Sequence, residues 1–211
     1  MQPQAFLQTA GLQTADPVRP DNLNGPAISL LGISGSLRQG SYSTAILNSL
    51  AQAIHPDAEL TLFDLHSIPL YNEDLDGEQK PDAVVVLASA ISSSDGLVIA
   101  TPEYNYGIPG VLKNAIDWAS RPAHKSSLKD KPVVYMTSSP GIYGGVRAQS
   151  HLQQLFTATL SRVVNTSQVA IPSIASKITN GGLNDESSVT FAVAAVRALI
   201  AEIRNARIRS A

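Results

Sequence analysis

Ala27-Ile28-Ser29-Leu30-Leu31-Gly32-Ile33-Ser34-Gly35-Ser36-Leu37-Arg38-Gln39-Gly40-Ser41 is the stretch that decides the fold. Ala27 to Ile33 is apolar throughout except Ser29, the pattern of a central parallel strand covered on both faces. A glycine-rich turn follows, and then Leu47, Leu50, Ala51 and Ile54 recur at helical spacing up to a stop before Pro56. The glycines do not fit the G-x-G-x-x-G spacing of a dinucleotide turn. Gly35 and Gly40 fit the first half of a nucleoside-triphosphate loop, but Ser41 stands where its lysine would be, so nothing reaches a β- or γ-phosphate. Left over is a turn dense in short hydroxyls (Ser34, Ser36, Ser41, Ser43, Thr44) with Arg38. Such groups at a helix N-terminus suit a terminal phosphate monoester. One or two serines suffice to cap a helix, so five with an arginine exceed a capping role.

Outward from this turn the chain alternates strand and helix. Glu59–Phe63 reads as strand two, Asp82–Ser94 as a helix and Gly96–Ala100 as strand three. A third helix carries Val111, Leu112, Ala115, Ile116 and Ala119. Pro132–Met136 is strand four, Val146–Leu160 a helix, Val163–Ile171 strand five and Asp185–Arg204 the last helix. Strict alternation implies an α/β fold with parallel strands, right-handed crossovers and helices on both faces. Residues 1–25 are polar and lack an apolar period, so they read as a mobile extension, and residues 26–211 as one domain.

A second turn, Thr101-Pro102-Glu103-Tyr104-Asn105-Tyr106-Gly107-Ile108-Pro109-Gly110, falls at the carboxyl end of strand three, where open α/β sheets bind ligands. Tyr104 and Tyr106 offer flat amphipathic faces and Asn105 both donates and accepts. Gly107 permits close backbone approach or positive φ. Backbone N–H groups near Gly107 or Asn105 are candidates to hydrogen-bond a flat ring. Glu103 is open to two readings, a general acid or base or an inter-subunit hydrogen bond. A phosphate turn and a ring turn on one sheet edge together point to flavin mononucleotide (FMN).

Composition narrows the classes. Of 211 residues, 44% are hydrophobic and 15% charged, with a net charge of −2, which disfavours a nucleic-acid partner. There is no cysteine, so disulfides, thiolate catalysis and iron–sulfur clusters are excluded. His55, His66, His124 and His151 lack metal-ligand spacing. No apolar run nears the roughly 20 residues of a membrane helix, and no secretory signal stands at the N-terminus, so a cytoplasmic, membrane-free protein is expected. Arg121 and His124 after the third helix either steer a nicotinamide phosphate or stay solvated. Tyr143 and Arg147 either bind nicotinamide or join a subunit interface.

The quoted turns, with Lys113-Asn114-Ala115-Ile116-Asp117-Trp118 and Ser138-Ser139-Pro140-Gly141-Ile142-Tyr143-Gly144-Gly145-Val146-Arg147-Ala148-Gln149, resemble the NAD(P)H-dependent FMN reductases, a family that includes quinone, azo and chromate reductases. The likeness runs from about Ala27 to Ile171. It implies a flavodoxin-like three-layer sandwich with strand order 2-1-3-4-5, and a homodimer or homotetramer. Ser36, Arg38, Ser41 and Ser43 would hold the FMN phosphate, with Tyr42 among the cofactor contacts. Pro102, Glu103, Tyr104, Asn105 and Tyr106 would border the ring, and Ser138, Gly141, Gly144 and Gly145 would close its other side. Serine stands at 43 where the family often has asparagine. The implied reaction moves two electrons from NADPH or NADH through FMN to a small-molecule acceptor (quinone, azo compound, free flavin or metal oxyanion) by ping-pong kinetics, with no single acid, base or nucleophile. The competing reading is a flavodoxin-type electron carrier.

Overall fold

The computed structural model describes residues 27–210, so the extension expected over residues 1–25 lies outside the described residues. Three strands form the centre: β1 (Ile28–Ser34), β3 (Gly96–Pro102) and β4 (Pro132–Ser138). With β2 (Ala58–Phe63) and the edge strand β5 (Arg162–Val163) they make a parallel sheet in the order β2-β1-β3-β4-β5. The order reverses between β1 and β3, the switch point at whose carboxyl edge ligands sit in such sheets.

Side chains alternate across the sheet and feed two cores. Leu30, Val98 and Val134 pack under α1 (Tyr42–Ala53) and α6 (Glu186–Ser210), whereas Leu31, Ile99 and Val133 pack under α2 (Asp82–Ser93), α3 (Gly110–Ala119) and α4 (Val146–Ala158). Burial on both faces is why the central strands read as continuous apolar runs.

The edge strand departs from expectation. Instead of one strand over Val163–Ile171 there are two pieces, β5 (Arg162–Val163) and β6 (Val169–Ile171), both paired with β4. Between them, residues 164–168 are mostly polar, and Thr166 Oγ1 donates to the neighbouring Ser167 carbonyl. Short hydroxyl side chains compete with a ladder in this way. Gln149 of α4 fills part of the gap, its amide nitrogen donating to the Val169 carbonyl at 2.9 Å and to Thr137 Oγ1 at 3.1 Å.

A short helix α5 (Ile174–Lys177) and a two-stranded hairpin, β7 (Ile178–Thr179) with β8 (Gly182–Leu183), follow unannounced by any long apolar period. The hairpin is tied to α1 by Leu183 N–H donating to Ser49 Oγ at 2.8 Å. The last helix runs to Ser210, beyond the expected Arg204. Asp185 caps its start through the Ser188 N–H, and hydrogen bonds from Ser188 and Lys177 hold the Asp185 carboxyl down at about 2. Among the described residues no helix is long and apolar enough to cross a membrane.

Candidate functional site: a cleft at the carboxyl edge

The first turn is built by its own hydrogen bonds. Past β1, Gly35 N–H donates to the Ala100 carbonyl at 2.8 Å, holding the turn against β3. A Cβ at Gly35 would lie 2.1 Å from Thr101 Oγ1, so only glycine fits there. Ser34 Oγ donates to the Ser36 carbonyl and accepts from Thr44 Oγ1 at 3.0 Å, tying the turn to the first turn of α1. Ser41 is the N-cap, its Oγ accepting from Thr44 N–H. Helix geometry leaves the N–H groups of Tyr42 and Ser43 without intrahelical acceptors. Ser34 and Thr44 are therefore scaffold, while Ser36, Ser41 and Ser43 border open space. Arg38 lies over the Tyr42 ring at 4.7 Å and curls past Gly40, where a Cβ would come within 3.0 Å of a guanidinium nitrogen.

The second turn is a tight hairpin. Tyr104 and Gly107 exchange two backbone hydrogen bonds of 2.9 Å, and Asn105 (φ 50°) and Tyr106 (φ 64°) are both left-handed, as in a type I′ turn. Positive φ thus falls on these two residues and not on Gly107, whose role is close packing: its Cβ would sit 3.1 Å from His151 Nδ1. Of the candidate ring donors near Gly107 or Asn105, the Gly107 N–H is engaged by the Tyr104 carbonyl. Glu103 is engaged within the chain. Its Oε2 accepts from the backbone N–H of Arg147 at 2.8 Å and of Ala148 at 3.1 Å, a carboxylate at the positive end of α4.

The third turn follows β4. Gly144 (φ 61°) would place a Cβ 2.7 Å from the Ala170 carbonyl carbon, and Gly145 (φ 80°), at the N-cap of α4, would place one 3.1 Å from Thr137 Cβ. Gly141 N–H donates to Ser139 Oγ and its carbonyl accepts from Ser173 N–H. Gly144 thus lets the turn approach the β6 backbone, and Gly145 lets it pass close to Thr137 and Glu103.

Ser36, Arg38, Ser41, Tyr42, Ser43, Pro102, Tyr104 and Ser138 converge on one pocket of about 300 Å³. Pro140 lines it too; it lay within the quoted motif but was not among the expected site residues, since a proline after a strand reads first as a turn former. Glu103, Asn105, Tyr106, Gly141, Gly144 and Gly145 are outside that lining and shape the loops around it. One end of the pocket is hydroxyl-rich and cationic, and the other is flat and apolar. On the far side of the first turn a smaller hollow of about 240 Å³ shares Ser36 and Arg38 and includes Asp64 and His66. His66 Nδ1 is 2.6 Å from Asp64 Oδ1; this hydrogen bond raises the histidine above its ordinary value and lowers the aspartate.

The Asn114–Trp118 motif is structural. Asn114 Oδ1 accepts from Tyr71 N–H at 2.7 Å, and its amide nitrogen and the Trp118 indole N–H both donate to the Pro69 carbonyl at 2.8 Å. Trp118 meets Tyr71 edge-on, and Arg121 lies over the same Tyr71 ring at 5.7 Å. The motif thus fixes the loop after β2.

Comparison with known proteins agrees with this geometry. A family model described as NADPH-dependent FMN reductase matches residues 28–176. A Pseudomonas aeruginosa protein named NAD(P)H-dependent FMN reductase is 44% identical over 146 residues, 69% of this chain and 78% of the relative. An Escherichia coli quinone reductase is 41% identical over 140 residues, 65% of this chain and 74% of its own. Among solved structures, the Paracoccus denitrificans flavoenzyme FerB, an NAD(P)H:(acceptor) oxidoreductase, superposes with a TM-score of 0.75 at 30% identity, covering 85% of this chain and 98% of its own.

Proposed function

The chain belongs to the NADPH-dependent FMN reductase family, and from that premise we propose that it passes two electrons from NADPH or NADH, through FMN in the 300 Å³ pocket, to a small-molecule acceptor of the quinone type. One observation carries this reading: the phosphate-type turn and the ring-type turn, 60 and more residues apart in the sequence, line a single pocket.

The residues present fit FMN. Ser36, Ser41, Ser43 and Arg38, with the first N–H groups of α1, would hold the phosphate; Pro102, Tyr104, Ser138 and Pro140 would border the ring. When bound, FMN supplies the two-electron chemistry. The protein's own part is orientation. Arg38, braced on Tyr42, sets the phosphate end, and the hydrogen-bonded Tyr104–Gly107 hairpin holds Tyr104 as a fixed wall. Glu103, which caps α4, lies outside the pocket lining, and donor and acceptor would enter the same pocket in turn, which is the basis for expecting ping-pong kinetics. The Escherichia coli relative's name supports a quinone acceptor; azo compounds, free flavin and metal oxyanions are further acceptors of the same kind of site.

The test is steady-state oxidation of NADH and NADPH by the FMN-loaded protein with quinone, azo and free-flavin acceptors. Parallel double-reciprocal lines with a quinone are expected. A yellow protein that is not bleached by either nicotinamide would leave the electron-carrier reading in its place.

A further inference from the structure

The break in the edge strand opens a second hollow, of about 320 Å³, bordered by β4, α4 and residues 164–168, and it shares no residue with the 300 Å³ pocket. β4 pairs with β5 through Pro132 and Val133 and with β6 from Met136 to Ser138, so Val134 and Tyr135 have no paired residue on this edge. Both line the hollow. Gln149 lines it too, at 2% exposure, and its Oε1 accepts no hydrogen bond from any described residue. Its Nε2 is used twice, on the Val169 carbonyl and on Thr137 Oγ1. That fixes the orientation of the amide, because the reverse one would set two carbonyl oxygens against each other. Gln149 therefore offers the hollow an acceptor and no donor. A buried carbonyl calls for a donor from whatever fills the space beside it. Gln153, one turn further along α4, accepts from the Tyr135 hydroxyl at 2.8 Å and keeps a second lone pair on the same oxygen. The exposed amides of Asn165 and Gln168 add groups that both donate and accept. Val134, Val163 and Val164 supply apolar surface, and among the described residues no charged side chain lines the hollow. An ion there would have no opposite charge, so the walls suit a neutral ligand.

We propose that this hollow is a second binding site, for a neutral flat heterocycle that carries a cyclic amide, of the uracil class. A ring N–H donates to Gln149 Oε1, the ring faces lie against the valines, and the ring carbonyls accept from the Asn165 and Gln168 amides. Apolar walls with a few convergent polar groups, at this volume, are the make-up of a small-molecule site. Binding is non-covalent and leaves the ligand unchanged. The site stands apart from the flavin reading and does not depend on it.

The probes are uracil and 1,3-dimethyluracil, which keeps the ring and both carbonyls but has no N–H. In an NMR titration of isotope-labelled, FMN-loaded protein, uracil should shift the side-chain amide signals of Gln149 and Gln153, with a Kd of about 1 mM or tighter, the scale of so small a ligand. Dimethyluracil should bind at least about 10-fold more weakly, since it leaves the buried Gln149 carbonyl without a donor. Gln153→Leu, at an exposed position, should weaken uracil binding by about 3-fold with Tm unchanged. Gln149→Met should abolish it; should that variant fail to fold, the comparison of the two uracils in the unaltered protein decides alone. Equal binding of both probes would overturn the proposal. So would the absence of any shift at the Gln149 and Gln153 amides with uracil near its solubility limit, which would leave the buried carbonyl to ordered water.

Discussion

The two ends of the pocket are made differently. At the phosphate end, Ser41 and Ser43 are nearly sealed, at 4% and 2% exposure, and a closed set of local hydrogen bonds holds the turn against α1 and β3. At the ring end, Tyr104 is 56% exposed and the wall is assembled from two separate segments, Pro102 and Tyr104 at the end of β3 and Ser138 and Pro140 at the end of β4. An end built from consecutive residues is rigid and specific for one chemical group. An end built from separate loops leaves room for different flat molecules. The contrast suits a site that keeps one cofactor and admits varied acceptors.

The strongest ways to break this contrast lie at its glycines. Gly35→Ala drives a Cβ into Thr101, a side chain with no exposure, and Gly144→Ala drives one into the backbone of β6 at a left-handed φ. Each should destabilise the protein by about 2–4 kcal/mol, read by urea unfolding. The first deforms the phosphate end and the second the ring end; a loss under about 1 kcal/mol in either would show that its turn is slack. Next comes Arg38→Ala. Removing one charge-assisted contact of about 1.5–3 kcal/mol should weaken FMN binding by roughly 10- to 100-fold in a fluorescence titration, with Tm almost unchanged. Equal binding by the variant would place the phosphate elsewhere.

Glu103→Gln should be milder: a loss of about 1 kcal/mol from the α4 cap, with kcat falling less than about 10-fold. A fall beyond about 100-fold would return Glu103 to acid–base chemistry. The smallest effect concerns Asp64 and His66, outside the first turn. A raised histidine value means that the pair stabilises the fold while His66 is protonated and ceases to do so as pH rises through that value. His66→Ala should therefore lower Tm more at pH 5.5 than at pH 8.5. The opposite order would mean that the pair does not stabilise the fold.

How much of this was legible in the sequence follows from the same contrast. The strands are legible from apolar runs and short-range spacing, their order from the family resemblance, and Ser41 in place of lysine is what reads the first turn as suited to a monophosphate rather than a triphosphate. The ring end depends on contacts between distant segments. Glu103 reads as a general acid or base or as an inter-subunit partner, and only the fold brings two N–H groups of α4 to it. Gly107 reads as a place for close approach or positive φ, and the structure gives it the close approach while Asn105 and Tyr106 take the positive φ. The break in the edge strand is equally non-local, since Gln149 of α4 supplies two of the hydrogen bonds there. Pro140 carries no polar signal and becomes a wall residue only once β4 aims it at Tyr104's pocket.

The most direct test removes the phosphate from the ligand. Affinity of the apoprotein for FMN and for riboflavin, measured side by side by quenching of flavin fluorescence, should differ by at least about 100-fold in favour of FMN, with most of the difference lost in Arg38→Ala. Equal affinity for the two flavins, or a preference for FMN that Arg38→Ala leaves intact, would contradict the assignment of the Ser36–Ser43 turn as the phosphate site.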